Sequence, residues 1–314
     1  DARRALEQRG IHWGVVAAGV AVLATWLLMS RHIRGFHIRA AGMAPRAARF
    51  AGVRPEALEV IGSLGLTGAE INAGGFLGTP HLPVAVPEPV FVGRPGEGYP
   101  FEWSVLRWIE GEHPGEGTVT DWARFGADLA RFVRALHRID LAGATAQGSL
   151  EWYRGRRLSD FRAEGQEAID EVREFAQRVD LGLDLDALQR LWDRAAGTSS
   201  PVLDAVWLHG DLRSDNLLVR NGVLAGVIDF GALGVGDPAV DLLYAWDLFD
   251  APARAVFTRA AAADEATTAR ARAWAFPGPG LVTLAEYRDS MPERTVRLTR
   301  MVEAVAADVG VRLR

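Results

Sequence analysis

His209-Gly210-Asp211-Leu212-Arg213-Ser214-Asp215-Asn216, followed by Ile228-Asp229-Phe230-Gly231, is the stretch from which the rest of the chain is read. Between the two runs, Leu217-Leu218-Val219-Arg220 and Val223-Leu224-Ala225-Gly226-Val227-Ile228 flank Asn221-Gly222. Asn and Gly both tolerate positive φ in a type I′ turn, so the pattern predicts a tight β-hairpin. A two-residue loop sets the register: Arg220 faces Val223, Leu218 faces Ala225 and Asn216 faces Val227. Asp229 then lies diagonal to Asn216 on the same face, at a backbone separation of about 7–8 Å. An amide oxygen and a carboxylate are hard donors suited to magnesium. The spacing therefore predicts a hairpin that can clamp a cation.

Downstream, Gly234-Val235-Gly236-Asp237-Pro238-Ala239-Val240-Asp241-Leu242 reads as an N-cap, Asp237, with proline at the first helical position, opening a helix toward Asp250. An aspartate, four residues, an asparagine, then a second aspartate before Phe-Gly is the order used in kinase-type phosphoryl transfer. The three runs H-G-D-x-x-x-x-N, I-D-F-G and G-D-P-x-x-D-L together resemble the aminoglycoside phosphotransferase family, antibiotic-modifying kinases with a protein-kinase-like fold. The resemblance implies a two-lobed α+β molecule with a small N-terminal lobe and a mainly helical C-terminal lobe. It implies Asp211 as catalytic base, Asn216 and Asp229 as magnesium ligands, Asp241 as a buried brace for the catalytic loop, and His209 as a packing residue. Trp108 and Ile109, at the end of a strand read from Phe101 to Ile109, fall where the family has its nucleotide-binding hinge. With Leu218 and Ile228 of the hairpin they are the candidates for holding the nucleotide.

Composition bounds these expectations. The chain has 314 residues, 49% hydrophobic and 24% charged, enough for one large or two modest domains. Its net charge of −5 does not suggest a nucleic acid or an anionic membrane as partner. It has no cysteine, which excludes disulfides, thiolate metal sites and cysteine nucleophiles. It also has no lysine, all 35 basic residues being arginine.

The first 78 residues are atypical for a kinase small lobe. The first 80 carry nine arginines against five acids, about +4, which leaves −9 on the remainder. Trp13 to Met29 is an uncharged apolar run of 17 residues, at the lower limit for a bilayer span; a buried element is the preferred reading, and a cytoplasmic chain is expected. Arg54 to Ile61 reads as a helix with proline in its first turn. The glycine-rich run from Gly62 to Gly78 lacks P-loop spacing, since no lysine exists to complete it. A kinase small lobe needs a basic residue against the nucleotide phosphates, and Arg39 is the candidate, with Glu56 or Glu59 as its partner. Residues 79–112 read as late small-lobe strands and hinge, and 113–314 as the helical lobe.

In that lobe, Asp121 to His137 is predicted as an amphipathic helix, with Trp122, Phe125, Leu129, Phe132, Val133 and Leu136 recurring at three- and four-residue spacing. His137 is given no chemistry. Asp160 to Val179 and Asp186 to Ala196 are further helices; helical pattern runs through Ala251–Phe276 and resumes from Glu286 to Val311. On the helix from Asp160, the carboxylates of Asp160, Glu164, Glu167, Glu171 and Glu174 line one face. A solvated face is the plain reading, with Arg157, Arg173 and Arg178 offsetting the like charges. The sharper one makes Glu164 and Glu167 part of a site for a cationic acceptor. The expected activity is transfer of the γ-phosphoryl group of ATP or GTP, with magnesium, to a hydroxyl of an aminoglycoside-like compound. A macrolide or amino alcohol as acceptor, and a nucleotide-binding or inactive pseudokinase, stand as alternatives.

Overall fold

The computed structural model describes residues 59–62, 82–93, 103–141, 143–145, 159, 162–178, 181–197, 205–275 and 292–313. Arg39, Glu56, Asp160 and the run from Trp13 to Met29 lie outside them. No helix among the described residues is long and apolar enough to cross a membrane.

The chain divides into two units, the first comprising residues up to 65 with 89–108, the second 66–88 with 109–314. The first holds three antiparallel strands, β1 (Glu59–Gly62), β2 (Pro89–Gly93) and β3 (Trp103–Leu106), in the order β1-β3-β2. The helix expected over Arg54 to Ile61 is corrected at its end: Glu59 to Gly62 is a strand, with Val60 opposite Val105 and Ile61 opposite Ser104. Adjacent β-branched residues favour an extended, paired backbone, and the proline-based helix signal does not outweigh that pairing.

The second unit is mainly helical. Helix α1 (Trp122–His137) starts one residue after the expected bound, because Asp121 is its N-cap: the carboxylate accepts the Arg124 amide at 2.9 Å. Its apolar stripe is buried, with Phe125, Phe132 and Leu136 at 0% exposure. Each such side chain contributes about 1.5–3 kcal/mol of transfer free energy. The stripe meets α5 (Ala251–Ala260), and Gly126 allows close approach: a Cβ there would stand 3.3 Å from Cβ of Phe257. Helices α2 (Arg162–Ala176) and α3 (Leu185–Ala196) pack through Gly165, where a Cβ would run into the Trp192 ring. The predicted helix through Ala251–Phe276 is two: Ala262 at φ 57° breaks it, and α6 (Glu265–Ala275) begins after Asp264, which accepts the Thr267 amide at 2.7 Å. An alanine-rich run carries no breaker to announce that turn.

Strands β4 (Val206–Leu208) and β7 (Gly234–Gly236) pair antiparallel, and β5 (Leu217–Arg220) with β6 (Val223–Val227) forms the predicted hairpin. Asn221 and Gly222 take φ of 54° and 80°, as a type I′ turn requires. The register is corrected beyond the turn. Arg220 faces Val223 and Val219 faces Leu224, but Leu218 faces Gly226 and Leu217 faces Val227. Ala225 is thus an extra residue on β6, a bulge. Its carbonyl accepts instead from the Ala85 amide at 3.1 Å, so the segment before β2 lines the outer edge of the hairpin. The opposite edge is covered by Glu112, which exchanges backbone bonds with Val219 at 2.9 and 2.7 Å.

Asp237 caps as predicted, accepting the Ala239 amide at 3.0 Å, but the element it opens is a 3-10 turn over Pro238–Leu242, followed by the short α4 (Ala245–Leu248). The C-terminal α7 (Pro292–Asp308) is tied to α4 and α5 by Asp308, whose carboxylate accepts from the Trp246 indole and from Arg254, both at 2.7 Å.

Candidate active site

The loop after β4 carries Asp211, and its shape is set by one buried carboxylate. Asp241, 2% exposed, accepts the backbone amides of His209 at 3.1 Å and Gly210 at 2.7 Å. His137, at the end of α1, adds Nε2 at 2.9 Å from the same carboxylate. Gly210 sits at φ 80°, a left-handed turn that glycine takes without strain. These bonds satisfy amides that a tight buried turn would otherwise strand.

His209 is fully buried, its ring 4.6 Å from that of Phe230. Its Nδ1 accepts the Asp211 amide at 3.2 Å, which leaves Nε2 as the donor to the Ile228 carbonyl at 3.1 Å. Burial lowers the imidazole's affinity for a proton, against the opposing pull of Asp241 and Asp211. The ring is therefore a neutral strut joining the two motif segments.

The Asp211 side chain is 21% exposed; Arg213 Nε lies 3.5 Å from its Oδ2, and two further side chains hold it by hydrogen bonds. Tyr244 donates its phenol to Oδ1 at 2.6 Å, and Asn216 donates Nδ2 to Oδ2 at 3.1 Å and to the Asp211 carbonyl at 2.8 Å. With Nδ2 so engaged, the oxygen is the atom of the buried Asn216 amide left to ligate a cation. The bulge in β6 brings Asp229 close in sequence register: the Ile228 amide bonds the Asn216 carbonyl at 2.9 Å, so Asn216 opposes Ile228, not Val227. Asp229 follows directly, exposed, in a left-handed conformation (φ 63°, ψ 71°) that costs on the order of 1–3 kcal/mol in a non-glycine residue. Its Oδ1 accepts the Gly231 amide at 3.3 Å, which offsets part of that cost. An amide oxygen and an exposed carboxylate fit magnesium, which takes few protein ligands and completes its shell with water and phosphate. No group of three or more His, Cys, Asp or Glu suited to a metal occurs among the described residues.

Of the nucleotide candidates, Ile109 and Leu218 come together over glycines. A Cβ on Gly226 would stand 2.8 Å from Ile109 Cγ2 and 3.6 Å from Leu218 Cδ1, and one on Gly111 would stand 2.8 Å from Leu218 Cβ. Ile228 is half-buried, its backbone clamped as above. Trp108 lies in the other unit and buries its indole nitrogen without a hydrogen-bond partner among the described residues. Glu59, offered as a helical partner for Arg39, stands on a strand.

A family model described as the APH phosphotransferase enzyme family matches residues 69–274. The chain belongs to this phosphotransferase family. An aminoglycoside 3'-phosphotransferase of Escherichia coli is 27% identical to it over 174 residues, 53% of this chain and 59% of that protein, so the chain spans about three-fifths of that relative's length. Among solved structures, a thermostable mutant of aminoglycoside phosphotransferase APH(4)-Ia aligns over 81% of this chain and 87% of its own, with 19% identity and a TM-score of 0.54. The GDP and kanamycin complex of APH(2")-IIia aligns over 78% and 85%, with 19% identity and a TM-score of 0.53. At such identities the likeness concerns the fold, which is the kinase-like α+β architecture.

In this family member, α2 carries the acidic stripe. Glu167, Glu171 and Glu174 are exposed, whereas Ala168, Ile169 and Val172 on the other face are buried. Glu164 lies on the same helix, but its side chain is outside the described residues. Glu167 has no hydrogen bond or ion pair to the catalytic loop among the described residues. Of the three arginines expected to offset these charges, Arg157 lies outside the described residues, Arg173 pairs with Asp186 at 3.1 Å, and Arg178 lies over the Phe175 ring.

Three residues in the loop's surroundings were not identified from sequence: His137, Tyr244 and Arg297. Arg297 of α7 donates to Ser214 Oγ at 2.7 Å and lies 3.5 Å from Asp215 and 3.3 Å from Asp247. Asp247 is 1% exposed, and burial pushes its carboxyl up to about 6 despite Arg297. Tyr244 stands three residues after Asp241 with no motif of its own to single it out.

Proposed function

We propose that this phosphotransferase moves the γ-phosphoryl group of ATP or GTP to a hydroxyl of an amino-bearing small molecule, an aminoglycoside-like compound above all. The observation that carries the reading is the Asp211 carboxylate, fixed by Tyr244 and Asn216 on a loop braced by Asp241. A carboxylate so placed can accept the proton of an attacking hydroxyl. Asn216 and Asp229 would hold magnesium, which when bound neutralises charge on the nucleotide phosphates. Asp241 and His209 hold the loop and the Asp229 segment in mutual register. Ile109, Leu218, Ile228 and Trp108 are the proposed contacts of the nucleotide, and Arg39 the proposed cation at its phosphates. Glu164 and Glu167 are proposed to draw in a cationic acceptor through long-range attraction.

The acceptor named for the kanamycin-bound neighbour favours the amino-sugar reading for this chain. The absence of lysine favours a second reading, a nucleotide-binding protein without transferase activity. Phosphate transfer from ATP and GTP across aminoglycosides, macrolides and amino alcohols, at two ionic strengths, separates them. Transfer to an aminoglycoside with kcat/KM falling as salt rises is the expected result. Magnesium-dependent nucleotide binding with no transfer to any acceptor would establish the second reading instead.

A further inference from the structure

We propose that Tyr244 is a positioning residue for the catalytic carboxylate, an inference that rests on reading Asp211 as the base. Tyr244 is 4% exposed, and its phenol reaches Asp211 Oδ1 at 2.6 Å, the short separation of a hydroxyl donating to an ionised oxygen. It stands three residues beyond Asp241, which holds the backbone of the same loop through His209 and Gly210. One short segment thus fixes the loop twice, by its amides and by the side chain of its reactive residue.

A carboxylate can rotate about χ1 and χ2, and a base that rotates away from the acceptor hydroxyl loses most of its effect. The Asn216 amide at 3.1 Å and the Arg213 guanidinium at 3.5 Å both act on Oδ2, which leaves Asp211 a hinge about that oxygen; the phenol on Oδ1 closes the other side. The carboxylate is then presented in one orientation while a fifth of the side chain stays open to an incoming hydroxyl. The tyrosine touches neither substrate in this scheme. In the transfer step the proton passes from the acceptor hydroxyl to Asp211 as the new O–P bond forms and the bond to the nucleotide's β-phosphate oxygen breaks. Tyr244 keeps its own proton throughout.

The test compares Tyr244→Phe, Asp211→Asn and the double variant with the parent in steady-state transfer, alongside melting temperatures. A hydrogen bond to a charged group is worth enough to predict a fall in kcat of about tenfold to a hundredfold in Tyr244→Phe. KM for nucleotide and acceptor should stay within about twofold, because neither contacts the phenol. The double variant should be no slower than Asp211→Asn, since the tyrosine acts only through that carboxylate. Unchanged kcat in Tyr244→Phe, a matching rise in both KM values, effects that multiply in the double variant, or a Tyr244→Phe protein that does not fold would each overturn the proposal. If Asp211→Asn itself keeps parental kcat, the reading of Asp211 as base fails; if only Tyr244→Phe does, that reading stands and the positioning role is lost.

Discussion

Replacing Asp241 with asparagine tests the bracing of the catalytic loop. The carboxylate receives three donors, the amides of His209 and Gly210 and the His137 ring, at 3.1, 2.7 and 2.9 Å. Asparagine keeps one acceptor oxygen and turns an NH₂ donor toward at least one of these donors. Hydrogen bonds to a charged acceptor contribute about 1.5–3 kcal/mol each, and a buried donor left unpaired costs about 1–3 kcal/mol more. Asp241→Asn should therefore lose about 3–5 kcal/mol, a large share of the roughly 5–15 kcal/mol that holds a typical domain folded. His137→Ala leaves both backbone amides bonded and should lose less. Urea unfolding followed by tryptophan fluorescence reads both, the chain having ten tryptophans. An Asp241→Asn protein within about 1 kcal/mol of the parent, or one less affected than His137→Ala, would refute the brace.

Asp247 predicts a pH dependence. Its folded pKa is raised by burial from 3.8 to about 6, so its contribution to stability is present below pH 3.8 and is lost as pH rises through about 6. Asp247→Asn should raise Tm relative to the parent more at pH 7.5 than at pH 4.5; an equal change at both would contradict the assignment. Gly165→Ala forces a methyl into the Trp192 ring and should cost about 1–3 kcal/mol by overpacking, whereas Gly115→Ala, with open space around it, makes a control for helix-free surface glycine. Equal stability of the two variants would show that α2 and α3 do not approach as described.

The parts of the fold legible from sequence were those written in local chemistry. The Asn221-Gly222 turn, the Asp237 cap and the stripe of α1 follow from single residues or short periods. The bulge at Ala225 was not legible, because it depends on a bond to Ala85, more than a hundred positions away. The same holds for His137 and Arg297, which reach the loop from α1 and α7 by tertiary packing. Glu59 misread as helical because a proline start signal was weighed without the partner strand that overrides it. In the site, Asp211, Asn216 and Asp229 stood out through their fixed spacing, while Tyr244, with no motif of its own, reaches Asp211 across 33 positions by tertiary packing.

The account's central claim divides labour between Asp211 and Asp229, and nucleotide affinity with and without magnesium, measured in Asp211→Asn and Asp229→Ala beside their transfer rates, tests it most directly. Asp211→Asn should bind magnesium-nucleotide like the parent and transfer phosphate on the order of 10²–10⁴ times more slowly. Asp229→Ala should lose the magnesium-dependent part of nucleotide binding. Equal affinities in the two variants, or parental turnover in Asp211→Asn, would contradict it.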